Sequence, residues 1–237
     1  MSVGHKQELI LFTHIPKTGG TTLRTLLERE YKAQALFLYN DHGVHFRNTQ
    51  QIGNRINHVL PKIKCISGHF GYGITFPHLK KPALALVTTE RPITYLAMVR
   101  NPVDQILSLY LAFQRQRRIP PHMTFEQFVY TKHCRENLQT YMISGKSSTA
   151  LKEAKENILH KYAVVGVTDR YAESFKLMKK RFNWKINTFP HLNPGHSDKL
   201  RREMSSDLIS HLQSKNQNDV NLYQFAKEKL LQDFNQL

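Results

Sequence analysis

The chain has 237 residues, is 40% apolar, and combines a mean hydropathy of −0.48 with a pI near 9.9. That is enough apolar material for a sizeable core, while no run approaches the roughly 18 consecutive apolar residues of a membrane-spanning helix. Thirty-four Lys and Arg against 18 Asp and Glu leave a net charge of +16, which calls for an anionic partner: nucleic acid, anionic lipid, a phosphorylated cofactor or an acidic polysaccharide.

Met1–Lys17 runs directly into an apolar segment without a charged–apolar–small cleavage pattern, so no secretory signal is expected. Two cysteines, Cys65 and Cys134, offer neither a disulfide framework nor metal-ligand spacing, and a reducing, cytoplasmic compartment fits them. Glu8–His14 is a predicted strand, Ile15–Gly20 a turn-rich loop, and Thr21–Tyr31 a helix with Leu23, Leu26, Leu27 and Tyr31 on one face. Ala35–Tyr39 reads as a strand, Arg47–Leu60 as a helix and Lys62–Ser67 as a strand leading into the glycine-rich Gly68–Gly73. From His42 to Thr89, 48 residues pass without one Asp or Glu, while Arg47, Arg55, Lys62, Lys64, Lys80 and Lys81 fall inside that run. Two apolar runs follow, Ala83–Thr88 and Ile93–Val99. The second feeds Arg100, then Asn101 as a helix cap and Pro102 as a first helical residue.

Beyond this point helices dominate: Thr124–Thr131, Arg135–Ser144, Ser148–Tyr162, Asp169–Phe182, Asp198–Gln213 and Asn218–Phe234. Ala163–Thr168 and Lys185–Phe189 are the remaining predicted strands. Strands alternating with helices imply an α/β fold with a mostly parallel sheet covered on both faces and a helix-rich C-terminal half. No linker, repeat or low-complexity tract interrupts residues 1–237, which therefore read as a single domain.

The strongest constellation is His14-Ile15-Pro16-Lys17-Thr18-Gly19-Gly20-Thr21-Thr22, between a predicted strand and helix. There, loop amides and a helix N-terminus converge on an anion, the glycines allow close approach, the threonines add hydroxyls and Lys17 adds a mobile charge. The Walker A pattern is not matched, because Lys17 precedes the two glycines, and this disfavours an ATPase or GTPase site. An ordinary turn with a threonine-capped helix is the alternative reading of the same residues. The histidine pairs His42/His45 and His191/His196 lack the cysteine or carboxylate company of a metal site, and no metal is expected.

Pro16-Lys17-Thr18-Gly19-Gly20-Thr21-Thr22 after a strand resembles the 5′-phosphosulfate loop of sulfotransferases that use 3′-phosphoadenosine 5′-phosphosulfate (PAPS). The form His-x-x-Lys-Thr-Gly-Gly-Thr-Thr is similar, in particular, to the heparan sulfate 2-O-/6-O-sulfotransferase superfamily and its bacterial relatives. A second signature, Met98-Val99-Arg100-Asn101-Pro102 leading to Ser108, resembles the family's strand–Arg–helix unit. The resemblance implies a P-loop-NTPase-like sheet, with Arg100 and Ser108 on the 3′-phosphate. It also implies His69, in Cys65-Ile66-Ser67-Gly68-His69-Phe70, as catalytic base. Asn137, Gln139 and Thr140 are similar to a family Asn-x-Gln-Thr motif, although Tyr141 stands where the family usually has Arg. Val164–Asp169 and Asp219–Tyr223 resemble structural segments of the family, and Gly195–Arg202 resembles a late basic loop that closes over the nucleotide. Animal relatives carry a membrane anchor; none is evident here, which suggests a bacterial cytosolic enzyme or a chain trimmed of its anchor.

The expected reaction is in-line sulfuryl transfer from PAPS to a hydroxyl of an acidic or neutral glycan. Lys17 and the loop stabilise charge on the departing 5′-phosphate while His69 takes the acceptor proton. Sulfuryl carries less charge than phosphoryl and does not demand Mg²⁺. The rival readings are a basic nucleic-acid- or polyanion-binding protein, which lacks any recognisable reading motif, and a nucleotide kinase with a degenerate phosphate loop.

Overall fold

The structure, a computed structural model, describes residues 7–39, 48–76, 79, 81–188 and 197–237. Five strands, β1 (Leu9–Thr13), β2 (Ala35–Leu38), β3 (Cys65–Gly68), β4 (Ile93–Val99) and β5 (Tyr162–Val167), form one sheet in the order β2-β3-β1-β4-β5. Every pairing is parallel. β1 lies in the middle with all five residues buried, as an apolar strand covered on both faces requires. Its last residue, Thr13, is in register with Gly68 of β3 and Ala97 of β4. The carboxyl end of β1 is thus the point where successive connections depart to opposite sides, the crevice in which open α/β sheets bind ligands.

The helices are α1 (Gly20–Tyr31), α2 (Thr49–Val59), α3 (Pro102–Arg115), α4 (Phe125–Val129), α5 (Leu138–Ser144), α6 (Leu151–His160), α7 (Tyr171–Phe182), α8 (Ser197–Glu203), α9 (Ser206–Lys215) and α10 (Gln217–Asn235). α1 buries Leu23, Leu26 and Leu27, the 3.6-period stripe visible in its sequence. α6, α7 and α10 pack on β5. α3 starts as its sequence dictates: the Asn101 side chain accepts the Val103 N–H at 3.0 Å and Pro102 occupies the first turn. Beside the main core, Val103, Ile106, Leu107 and Tyr110 of α3 meet Phe125 and Phe128 of α4 and Leu208 and Leu212 of α9 in a second apolar cluster.

Three expectations change. Residues 184–188 form no strand, because Glu30 accepts the backbone N–H groups of Lys185 and Ile186 and occupies the donors a ladder would need. The helix expected over Asp198–Gln213 is broken in two, since Ser205 turns extended and caps α9 by accepting the Leu208 N–H. α5 begins only at Leu138, after Asn137 at φ 51°. The apolar run Ala83–Leu86 is a 3₁₀ turn lying against α2, where Asn57 bonds Leu86 O and the Thr88 N–H.

Candidate active site at the carboxyl ends of the strands

The loop between β1 and α1 doubles back through two positive-φ residues, Lys17 (67°) and Gly19 (82°). Gly20 opens α1 with its Cα against the His14 imidazole, so closely that a Cβ there would lie 2.1 Å from His14 Cδ2. Thr18 is fully buried and donates its hydroxyl to Ile15 O at 2.9 Å, which shapes the loop from within. Of the two following threonines, Thr22 is buried and Thr21 is exposed.

Four successive carbonyls of this loop are bonded by side chains from elsewhere in the fold. Gln105 Nε2 of α3 donates to Pro16 O at 2.8 Å, and Arg100 Nη1 donates to Lys17 O at 3.3 Å. The Thr168 hydroxyl donates to Thr18 O at 2.8 Å and lies 3.0 Å from Val99 O; the Tyr171 hydroxyl reaches Gly19 O at 3.4 Å. In a trans peptide the C=O and the next N–H point in opposite directions, and no cis bond occurs among the described residues. Bonding these carbonyls to the fold therefore turns the N–H group of each following residue, Lys17, Thr18, Gly19 and Gly20, away from the donor that holds its carbonyl. Gly19, the cap residue of α1, has no side chain to occupy the first-turn amides, so the loop and the helix N-terminus form a ready anion cradle.

Positive charge converges on the cradle. Lys17 is half-buried, and its ammonium is shifted below its ordinary range by burial first, then by the charges of Arg115 and Arg100. Arg100 follows β4. Gln105, Ser108 and Arg115 share one stripe of α3, three and seven residues apart. Gln105 faces the loop, and half-buried Ser108 lies one turn beyond it. Arg115 was not singled out in the sequence; its spacing of seven from Ser108 is the signal that carries it.

His69 follows β3 directly and is exposed. Its Nδ1 lies 2.7 Å from His14 O. A carbonyl only accepts, so Nδ1 carries the proton and Nε2 is the basic nitrogen of the ring. The His14 ring, 4.4 Å from that of His69 between centroids, is buried and bonds through Nδ1 to the Tyr39 hydroxyl at 2.8 Å. Burial, then His69, Arg24 and Lys17, hold the His14 imidazole well below its ordinary range, and it stays neutral. His14 is a packing residue of the loop.

The Asn-x-Gln-Thr segment is an internal brace. Gln139 bonds both backbone groups of Arg100, Asn137 accepts the Asp219 N–H, and buried Asp219 accepts from the Gln139 and Thr140 amides and the Thr140 hydroxyl. Asp169 holds α10 by accepting from Tyr223 and Lys227. Arg201 of α8 pairs with Asp104 of α3 at 3.0 Å, bringing the late basic segment beside the Arg100 helix. Gly195 and His196, like His42, His45, Arg47, Lys80 and His191, lie outside the described residues.

Of the basic run before β3, Lys62 and Lys64 do not join this site. Lys62 and Lys64 precede β3, at the amino-terminal end of the strands and so at the opposite end from His69, and Lys64 lines a cavity of ≈ 900 Å³ with Arg29, Lys32 and Trp184. Arg55 and Lys81 are exposed. Among the described residues no group of His, Cys, Asp or Glu has the arrangement of a metal site, and no helix is long and apolar enough to cross a membrane.

A family model described as the sulfotransferase family matches residues 3–226. No curated protein matches the chain. Among solved structures, a sulfotransferase from Alicyclobacillus acidocaldarius aligns over 91% of this chain and 94% of its own at 15% identity, with a TM-score of 0.51. Mouse sulfotransferase SULT7A1 complexed with PAP aligns over 84% of this chain and 64% of its own at 16% identity, with a TM-score of 0.45. The likeness to the Alicyclobacillus acidocaldarius sulfotransferase, at 15% identity, is one of fold.

Proposed function

The chain belongs to the sulfotransferase family, and we propose that it acts as one sulfotransferase domain moving the sulfuryl group of PAPS to a hydroxyl of a glycan. The observation that carries this reading is the loop at Pro16–Gly19, whose four carbonyls each accept a hydrogen bond from a side chain elsewhere in the fold, which leaves its amides and the start of α1 to serve an anion. The donor set fits PAPS: Lys17 and the loop amides take the 5′-phosphosulfate, while Arg100 and Ser108 take the 3′-phosphate that ATP-like nucleotides lack.

In the reaction the acceptor oxygen forms a bond to sulfur as the bond from sulfur to the 5′-phosphate oxygen breaks. The acceptor proton passes to Nε2 of His69, and adenosine 3′,5′-bisphosphate leaves. Lys17, kept close to other cations, meets the negative charge that grows on the departing phosphate. The exposed position of His69 leaves room for a large acceptor, and the net charge of +16 favours one that is acidic.

Thermal stabilisation tests the donor class. Adenosine 3′,5′-bisphosphate is expected to raise the melting temperature in proportion to the logarithm of its concentration over Kd, with ATP and AMP giving smaller shifts. No shift with any of the three in a folded sample overturns the reading in favour of polyanion binding. Transfer of ³⁵S from labelled PAPS to neutral and acidic oligosaccharides then identifies the acceptor.

A further inference from the structure

His69 is held by a hydrogen bond and by ring contacts. Its Nδ1–H donates to His14 O, the His14 ring lies at 4.4 Å, and the Tyr39 ring stands edge-on at 4.9 Å and 87°. His14 and Tyr39 are joined by a hydrogen bond of 2.8 Å, and the Tyr39 hydroxyl continues to Ser67 Oγ at 2.6 Å. All three side chains are buried, on the ends of three neighbouring strands: His14 after β1, Tyr39 after β2 and Ser67 within β3. Arg24 of α1 completes the wall, its guanidinium 4.3 Å from the Tyr39 ring centre.

We propose that Tyr39 is a positioning residue for the general base, its hydroxyl locking the His14 ring so that the His14 carbonyl keeps His69 in the Nδ1–H tautomer. This rests on the reading of His69 as the base. The tautomer decides whether the base works: with the proton on Nε2 instead, the nitrogen that meets the acceptor has no lone pair to offer. The carbonyl that selects the tautomer belongs to a residue whose ring is pressed between the Phe12 ring at 5.2 Å, Gly20 Cα and His69. With so little room, rotating that ring displaces its own backbone. Without the Tyr39 hydroxyl, Nδ1 of a buried imidazole loses its partner, which is costly enough to make the ring seek another orientation.

Tyr39→Phe removes the hydroxyl and keeps the ring contact. The full chain is labelled with ¹⁵N-histidine, and the tautomer of His69 is read from long-range ¹H–¹⁵N imidazole correlations, the signal being identified by its loss in His69→Gln. Wild type is expected to show one tautomer, with Nε2 at the deshielded position of an unprotonated nitrogen. In Tyr39→Phe the two ring nitrogens are expected to move toward a common averaged position, while stabilisation by adenosine 3′,5′-bisphosphate is unchanged. Retention of the pure Nδ1–H tautomer in a folded Tyr39→Phe overturns the proposal. Should that variant fail to fold, Ser67→Ala reads the same chain from its far end: a smaller movement in the same direction supports the proposal and none overturns it. The tautomer is observed without turnover, so failure here is distinguishable from failure of the sulfotransferase reading, which shows as absence of the nucleotide-dependent shift.

Discussion

Gln139 grips Arg100 by both of its backbone groups: its carbonyl accepts the Arg100 N–H at 2.9 Å and its amide donates to Arg100 O at 2.8 Å. Gln139 is itself held through its own N–H by Asp219 at 3.0 Å, so α10, α5 and the end of β4 are linked in series to the residue proposed for the 3′-phosphate. Gln139→Glu keeps the size and the acceptor but has no hydrogen to give. We expect about tenfold weaker binding of adenosine 3′,5′-bisphosphate, equal to about 1.4 kcal/mol, with AMP affinity little changed. Calorimetric titration of the two nucleotides checks the difference.

The roles proposed for His69 and Arg100 separate by readout. His69→Ala is expected to lower turnover by about 10²–10⁴-fold while keeping nucleotide affinity, as loss of a general base does. Arg100→Ala is expected to lose the 3′-phosphorylated nucleotide first. Full turnover in His69→Ala refutes the base assignment.

Gly20 is required by a neighbour. A Cβ there would sit 2.1 Å from His14 Cδ2 and 2.3 Å from Nε2, and the buried His14 ring has little room to give. Gly20→Ala is therefore expected to cost about 1–3 kcal/mol and to disturb His69 through the His14 carbonyl. Denaturant unfolding reads the first effect and the His69 imidazole signal the second.

Asp219 is 1% exposed, and burial outweighs its three hydrogen bonds, raising its carboxyl from 3.8 to about 6. Between those values the folded chain binds a proton that the unfolded chain releases. Its contribution to stability therefore falls as pH rises from about 4 to about 6 and is level above that. Asp219→Asn is expected to flatten that slope in urea midpoints. It is also expected to lose about 1–3 kcal/mol at pH 7, because an amide hydrogen then faces the Gln139 or Thr140 N–H.

Arg91 joins four backbone carbonyls through one guanidinium: Gln7, Glu8, Leu60 and Ile63, at 2.7–3.2 Å. It ties the entry of β1 to the lead-in of β3. Arg91→Ala is expected to cost about 2 kcal/mol, and Arg91→Lys to recover only part of it, since a single ammonium cannot span the fork. Nucleotide binding at the far ends of the strands is expected to persist, which thermal shifts with adenosine 3′,5′-bisphosphate check.

What the sequence determined by itself is local. The apolar strand, the Lys17–Gly20 turn and the α1 stripe lie within about two dozen consecutive residues, and the Arg100-Asn101-Pro102 junction carries its own cap. Each is fixed by φ preferences, capping or hydrophobic period, which need no distant partner. The broken α8–α9 helix also left a sign in Ser205. Residues 184–188 did not, because the carboxylate that removed their strand comes from α1. Only the tertiary structure brought His69 onto the His14 carbonyl, aligned Arg115 with the cradle and made Gln139 a brace. The donors that orient the Pro16–Gly19 carbonyls lie 83 to 152 residues away along the chain. A backbone carbonyl accepts from any suitably placed Gln, Arg, Thr or Tyr, so the choice leaves no local pattern; the strand order β2-β3-β1-β4-β5 makes it.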